Sequence, residues 1–199
     1  MGKRTVVIKV GSSTVTGADG RIDTDYLAGM AEQVSTLREN GDRAVVVTSG
    51  AIAAGLEALQ IATRPSDMPT LQAAAAVGQV RLLDAYRDAF NARGAKVGQV
   101  LVTRHDVGHR QQYVHACQTL ERLLDLGVVP IVNENDTVSY AEIRFGDNDI
   151  ISAHLAAMLD ADLLVILTDT DGVYDANPKT HADARPLRTV ERITDGIVA

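Results

Sequence analysis

The sequence predicts an α/β fold in which a mainly parallel sheet lies between two layers of helices, a three-layer αβα sandwich. Three observations predict it. Short, continuously apolar runs rich in β-branched residues are typical of strands covered on both faces. Stretches with helical periodicity separate these runs, and the regular alternation favours parallel strands joined by right-handed crossovers. A length of 199 residues with 46% hydrophobic residues suits one domain with one core.

The apolar runs predict five strands, over residues 5–10, 44–47, 97–102, 128–132 and 163–167. Helical spacing of apolar residues predicts helices over 25–40, 70–93, 111–126 and 148–159. Glycines at the ends of several of these stretches are good helix stop signals. A further helix opens after Gly50. The tail predicts a turn over 175–178 and an edge strand or hairpin over 187–193.

Composition excludes several classes of function. A net charge of −7, with 19 basic residues scattered along the chain, argues against a nucleic-acid partner. A single cysteine, Cys117, cannot form a disulfide framework, so we expect a soluble, cytoplasmic protein. Lys9 interrupts the first apolar run, which argues against a signal peptide. No run approaches the roughly 18 apolar residues that a membrane span needs.

The richest polar segments, 133–136 and 146–149, follow the predicted strand at 128–132. Open α/β sheets bind ligands at the carboxyl ends of their strands, so we expect this acidic pair of segments to hold a small cation such as an ammonium group. Asp136 is expected to accept from that ammonium, Asn148 to donate to a carboxylate, and Asp149 to orient Lys9. The alternative is a solvated turn, since turns also collect Asp and Asn.

Two other polar loops follow predicted strands. Lys9 lies within an apolar strand, where an ammonium is costly unless it meets an anion, and Gly11–Ser13 would let backbone N–H groups approach phosphate oxygens. Ser49 precedes a helix whose N-terminus suits a carboxylate or phosphate. The simpler alternatives are that Lys9 extends to solvent at a strand edge and that Ser49 only caps its helix.

The segment 168–178 resembles a calcium loop at its start, but the downstream acidic ligand is missing, so a nucleotide ribose or base is the better hypothesis. His105 and His109 lack the pattern of a zinc protease and are interpreted as surface residues. No metal site is predicted. Neither a GxxxxGK[ST] loop nor a GxGxxG fingerprint occurs, which disfavours P-loop and ordinary dinucleotide-binding enzymes.

Six ordered segments together resemble the glutamate 5-kinases of the amino acid kinase fold, and the resemblance runs essentially from end to end. The pair of segments at 133–136 and 146–149 is characteristic of this member of the superfamily. The six segments are 7–13, 46–55, 75–79, 132–136, 146–149 and 167–169.

The resemblance implies transfer of the γ-phosphoryl group of ATP, delivered with Mg²⁺, to the side-chain carboxylate of L-glutamate, the first step of proline synthesis. It implies that Lys9 contacts the transferring group and that Asp149 holds the geometry of this lysine. It also implies L-proline as a feedback inhibitor and self-association into a homo-oligomer. The implied glutamate-binding residues are Ser49, Asp136 and Asn148, and the implied ATP-binding pair is Thr168 and Asp169.

The resemblance further implies a second nucleotide segment, a glycine-rich loop with another phosphate-contacting lysine, beyond residue 199. It also implies a C-terminal RNA-modification-enzyme-like (PUA) module in many relatives. Residues 1–199 are therefore expected to be the N-terminal part of an amino acid kinase domain, without these features. One alternative is a non-catalytic sensor of glutamate or proline. Another is a kinase of the same fold that acts on acetylglutamate, aspartate or carbamate.

Overall fold

The computed structural model describes residues 3–139, 147–170, 172–178, 180–181 and 183–193. The chain divides into two compact units, Met1–Leu167 and Thr168–Ala199. Every helix and strand assigned within the described residues belongs to the first unit.

Five parallel strands form one sheet in the order β3-β4-β2-β1-β5. All five predicted strands are confirmed, with ends shifted by at most two residues. The largest shift is at β4, which continues past the apolar run and so carries Asn133 within the sheet. The strands are β1 Thr5–Val10, β2 Arg43–Val47, β3 Lys96–Val102, β4 Val128–Glu134 and β5 Leu163–Leu167.

Seven helices connect the strands in the described part of the chain, and the predicted ones are confirmed. Two short helices were not predicted. The second of them begins with a capping box, in which Thr103 and Asp106 bond each other's backbone N–H, and this offsets the weak propensity of Gly108. The helices are α1 Ser12–Val15, α2 Thr24–Glu39, α3 Ala51–Ala58, α4 Met68–Asn91, α5 Arg104–Gly108, α6 Arg110–Asp125 and α7 Asp147–Met158.

The two faces of the sheet bury separate apolar cores. Val6, Ile8 and Val10 of β1 pack in one core with residues of α2 and α4. Val7 of β1 packs in the other core with residues of α6 and α7. Because successive side chains of a strand point to opposite faces, β1 contributes to both layers. The predicted three-layer αβα sandwich is confirmed.

The expectation that every strand is covered on both faces fails at the two edges of the sheet. β1 is buried along its whole length, whereas β3 and β5 are partly exposed. Leu163 and Ile166 of β5 are 51% and 45% exposed. An apolar run indicates a strand but does not distinguish a central strand from an edge strand, because that depends on the strand order.

Helices α3 and α4 pack with their backbones in direct contact, and two glycines make this possible. A Cβ atom on Gly55 would lie 1.8 Å from the carbonyl oxygen of Ala74. A Cβ atom on Gly78 would lie 1.8 Å from the carbonyl oxygen of Ala51. Since Ala51 is the first residue of α3, this packing fixes the start of that helix against α4.

Among its described residues, the second unit has one antiparallel bridge, between Tyr174 and Pro186. The Leu187 N–H donates to the carbonyl of Val173 at 2.7 Å, and the Arg185 N–H donates to Asp175 Oδ1 at 2.7 Å. The predicted turn near 175–178 is present as bends followed by a turn. An edge strand or hairpin was predicted over 187–193. No strand is present there, since these residues carry only bends and irregular backbone, and the hairpin-like pairing involves only Leu187, next to the bridge.

None of the helices in the described residues is both long enough and apolar enough to cross a bilayer.

An ion pair at the amino end of β1 predicts a pH dependence of stability. The Arg4 guanidinium bonds Asp42 Oδ2 at 2.5 Å, and this hydrogen bond holds the pKa of the Asp42 carboxyl below its ordinary value of 3.8. A lowered pKa in the folded state stabilises the fold above the unfolded pKa, and this stabilisation is lost as pH falls through the folded pKa. Denaturant midpoints of wild type and Asp42→Asn should therefore differ at neutral pH and converge below pH 3.8. A pH-independent difference would contradict the ion-pair explanation.

Candidate functional site

The polar loops after β1 and β2 meet at the carboxyl ends of these parallel strands. Gly50, which precedes α3, has a φ of +97°, a conformation that L side chains rarely adopt. A Cβ atom there would lie 3.2 Å from Thr16 Cγ2 and 3.7 Å from Ser12 Oγ. The loop that contains Gly11–Ser13 and the loop that contains Ser49 are therefore in contact.

Lys9 faces the acidic segment that precedes α7. Its Nζ lies 2.7 Å from Oδ1 of Asp149, and the Lys9 side chain is only 10% exposed. A Cβ atom on Gly11 would lie 3.7 Å from the same Nζ, so the ammonium sits beside the backbone after β1. The Asp149 side chain is 45% exposed. Lys9 therefore does not extend to solvent at a strand edge, and the structure brings it together with Asp149.

Ser49 and Asn148 also lie together, and a chain of buried amides joins them to α4. Asn148 Nδ2 donates to Ser49 Oγ at 3.0 Å and to Asn133 Oδ1 at 3.2 Å. Asn133 Nδ2 in turn donates to Gln79 Oε1 at 2.7 Å. We call these four residues the amide chain. It crosses from α7 through β4 to α4, and at its α7 end it lies next in sequence to Asp149.

Ser49 is not the cap of its helix. Gly50 occupies the N-cap position of α3, and no side chain caps that helix. The Ser49 hydroxyl is instead bonded to Asn148, whose two amide hydrogens are both engaged within the amide chain. The atom of Asn148 that has no hydrogen-bond partner among the described residues is Oδ1, which is buried. Its available group is therefore an acceptor, although a donor was predicted.

Two hydrogen bonds of Thr48 fix the backbone just before Ser49. The Thr48 N–H donates to the carbonyl of Val132 at 2.8 Å, and the Thr48 hydroxyl lies 2.9 Å from the Tyr86 hydroxyl. Tyr86 is fully buried, and burial raises the pKa of its phenol well above the ordinary value. The phenol is therefore neutral at physiological pH and acts as a fixed hydrogen-bonding support for the loop.

Asp136 lies in the loop after β4, where it borders a groove of about 320 Å³ between α4 and β3. Gln79 borders the same groove and is also a member of the amide chain. Gly146 and the side chain of Asp147 lie outside the described residues, so their predicted part in the acidic pocket is not placed.

Thr168 and Asp169, the predicted ATP-binding pair, belong to the second unit. They follow the last residue of β5 directly, and the Thr168 hydroxyl lies 3.4 Å from Asp169 Oδ1. Asp171 lies outside the described residues. The role of this pair in binding ATP stays a prediction.

His105 and His109 face each other on one side of α5, with ring centroids 3.6 Å apart. In the ranges that the structure describes, no three His, Cys, Asp or Glu side chains come together as a group able to hold a metal ion.

Gln79 and Asn133 lie in two of the segments that carry the family resemblance, but no role was predicted for either residue. A signal was present for each. Asn133 is an amide at the end of a buried strand, and Gln79 is a polar residue on a face of α4 that is otherwise mostly apolar. Both are buried, and a buried amide needs hydrogen-bond partners.

Residues 4–195 match the model of the amino acid kinase family. The chain belongs to the amino acid kinase family. Among curated proteins, it is 49% identical to glutamate 5-kinase of Geobacter sulfurreducens over 189 residues, which is 95% of this chain and 51% of that protein. It is 48% identical to glutamate 5-kinase of Thermus thermophilus over 188 residues, which is 94% of this chain and 50% of that protein. The chain therefore spans about half the length of the curated relatives it matches.

Solved structures of this family share the fold at low identity. An isopentenyl phosphate kinase superposes with a TM-score of 0.65 at 21% identity, covering 98% of this chain and 83% of that one. Aspartate kinase from Synechocystis superposes with a TM-score of 0.57 at 18% identity, covering 92% and 31%. At these identities the likeness concerns the fold alone.

Proposed function

We propose that the chain binds L-glutamate and takes part in the transfer of the γ-phosphoryl group of ATP to its side-chain carboxylate, giving L-glutamyl 5-phosphate for proline synthesis. The observation that carries the proposal is the ion pair of Lys9 and Asp149 next to the hydrogen-bonded pair of Ser49 and Asn148. A cation and a carboxyl-binding group thereby meet at the carboxyl ends of β1 and β2. Relatives close to half identical in sequence carry the name glutamate 5-kinase.

Lys9 is the proposed contact of the transferring phosphoryl group. Phosphoryl transfer asks little covalent work of the protein, so catalysis rests on positioning and on electrostatic stabilisation of the phosphoryl oxygens. A largely buried ammonium provides such stabilisation more strongly than an exposed one, because the local dielectric is lower. Asp149 is proposed to hold Lys9 in place, through the ion pair of 2.7 Å between Lys9 Nζ and Asp149 Oδ1.

Ser49 and Asn148 are the proposed contacts of the amino acid end of L-glutamate. The Ser49 hydroxyl accepts from Asn148, so its own hydrogen is available for a carboxylate. Asp136 is proposed to accept from the substrate ammonium. The side-chain carboxylate of glutamate is ionised at neutral pH and is itself the nucleophile, so the site needs no strong base.

ATP is the proposed phosphoryl donor, with Thr168 and Asp169 as its further contacts. The Lys9 ammonium lies beside Gly11, whose own N–H donates to the carbonyl of Leu167 at 3.1 Å. A cation at this place fits a polyphosphate better than a neutral ligand. Mg²⁺ would arrive with the nucleotide and keep much of its water, and when bound it offsets charge on the phosphate oxygens.

Three further expectations remain proposals. They are inhibition by L-proline at the glutamate site, self-association into a homo-oligomer, and a cytoplasmic location. Light scattering on the purified protein tests the second directly. The assignment of residues 1–199 to the N-terminal part of a kinase domain is also a proposal.

Calorimetry with L-glutamate, L-proline and a non-hydrolysable ATP analogue tests the proposed function. A kinase is expected to bind L-glutamate and the nucleotide, with L-proline displacing L-glutamate. A non-catalytic sensor would bind amino acids without binding the nucleotide. If acetylglutamate, aspartate or carbamate replaced L-glutamate as the accepted substrate in a phosphate-release assay, the assignment to glutamate would be wrong.

Ser49→Ala should weaken L-glutamate binding by about tenfold, because the substrate carboxylate loses a donor in a partly buried site. Nucleotide binding should be unchanged. Ser35→Ala is the matched control, since Ser35 is buried on α2 and its hydroxyl has no hydrogen-bond partner among the described residues. Calorimetric titration of both variants gives the comparison. Equal L-glutamate affinities of Ser49→Ala and Ser35→Ala would show that Ser49 does not bind the substrate.

A further inference from the structure

Gln79 is a buried polar residue with a single hydrogen bond among the described residues. It is 9% exposed, and its Oε1 accepts from Asn133 Nδ2 at 2.7 Å. Its Nε2 is buried and has no hydrogen-bond partner in the described part of the chain. Burying an amide without full hydrogen bonding costs free energy, so an apolar side chain of similar size would pack here at lower cost.

Asn133 turns the donating end of its amide toward Gln79 and the accepting end toward Asn148. An asparagine side chain has one donating end and one accepting end. With Nδ2 turned toward Gln79, Oδ1 of Asn133 faces α7 and accepts from Asn148 at 3.2 Å. Asn133 is 2% exposed, so water does not compete for this orientation.

The same constraint passes to Asn148 and Ser49. Asn148 Nδ2 lies between Asn133 and Ser49 and donates one hydrogen to Asn133 Oδ1 and the other to Ser49 Oγ. Its buried Oδ1 is then left as an acceptor, and the Ser49 hydroxyl is left as a donor. An acceptor and a donor are thus left on two residues that are hydrogen-bonded to each other, and these are the groups that the ammonium and the carboxylate of an amino acid require.

We propose that Gln79 is a positioning residue that sets the direction of the amide chain, so that Asn148 presents an acceptor to the ammonium of the substrate and Ser49 presents a donor to its carboxylate. The inference rests on the proposed function and names a group that, beside Asp136, makes the site select an amino acid over a plain dicarboxylate. Gln79 acts through Asn133 and does not itself touch the substrate.

Three substitutions separate this role from a structural one. Gln79→Met keeps the length of the side chain and removes the acceptor, so the Asn133 amide is free to turn over. Gln79→Glu retains an oxygen that accepts from Asn133. Gln99→Met is the matched control, because Gln99 is an exposed residue of β3 that borders the same groove.

The readout is the ratio of affinities for L-glutamate and for glutarate, which has the same two carboxylates and no ammonium. Calorimetry on the wild-type protein should show preference for L-glutamate. Gln79→Met should reduce this ratio by about tenfold through loss of L-glutamate affinity, with glutarate affinity and nucleotide binding little changed. Gln79→Glu and Gln99→Met should keep the ratio near the wild-type value.

Equal weakening of both ligands in Gln79→Met, or loss of the ratio in Gln79→Glu to the same extent as in Gln79→Met, would overturn the inference. The Gln79→Glu arm tests it even where Gln79→Met does not fold. Failure of the proposed function looks different, because wild-type protein would then show no preference for L-glutamate over glutarate. An unchanged ratio in Gln79→Met with normal wild-type preference overturns the inference alone.

Discussion

Replacing Lys9 with alanine is expected to lower phosphoryl transfer to L-glutamate by about 10²–10³-fold, the scale measured when one preorganised electrostatic donor is removed from an active site. L-glutamate affinity should change comparatively little, because Ser49 and Asn148 bind the other end of the substrate. The effect should be large because Lys9 is nearly buried and paired with Asp149 at 2.7 Å. A fixed charge in a site of low dielectric needs no reorganisation as the phosphoryl oxygens gain charge.

Lys96→Ala is the matched control, since Lys96 is an exposed lysine at the start of β3. It should leave transfer and affinity unchanged. The measurement is phosphate transfer under saturating ATP, together with calorimetric affinity for L-glutamate. Equal loss of transfer and affinity in Lys9→Ala would show that Lys9 supports folding of the site and not the chemical step.

Gly78→Ala is expected to destabilise the protein by about 3 kcal/mol or more, at or beyond the upper end of ordinary overpacking. The added Cβ would lie 1.8 Å from the carbonyl oxygen of Ala51, which is backbone and cannot rotate away. Helix α3 would have to move off α4, and its first turn follows directly after Ser49. L-glutamate binding should therefore weaken together with stability.

Gly29→Ala provides the control for this prediction. Gly29 lies in α2, and a Cβ atom there would meet nothing within 4 Å. Alanine in a helix interior is expected to stabilise by about 0.5–1 kcal/mol relative to glycine. Urea denaturation of both variants gives the two free energies of unfolding. A Gly78→Ala protein as stable as wild type would contradict the close packing of α3 on α4.

The strands were predictable because each is a short apolar run in a sheet with helices on both faces. Strand order was not, since it depends on pairings between distant segments, and so the exposure of Leu163 and Ile166 at an edge was missed. Helix α5 was not predicted, because the signal for it is a capping box that offsets the weak helix propensity of Gly108. The strand expected over 187–193 relied on local apolar residues alone.

The candidate site was predictable where one residue carries a strong physical constraint. Lys9 is a charge inside an apolar strand, so a partner at the strand end was expected, and Asp149 is there. The amide chain was not predictable, because Gln79 and Asn133 are 54 residues apart in sequence and meet only through tertiary packing. Asp136 was predicted from its place in a motif, but the motif did not indicate that this residue borders the groove between α4 and β3.

In the proposed reaction the side-chain carboxylate of L-glutamate attacks the terminal phosphorus of ATP beside Lys9. L-glutamate that carries heavy oxygen at both positions of its side-chain carboxylate follows this bond. After transfer from ATP, hydroxylamine cleaves the acyl phosphate, and mass spectrometry of the released phosphate reports the origin of its bridging oxygen. The released phosphate is expected to carry one heavy oxygen from glutamate. Phosphate released at the wild-type rate with no heavy oxygen would contradict it.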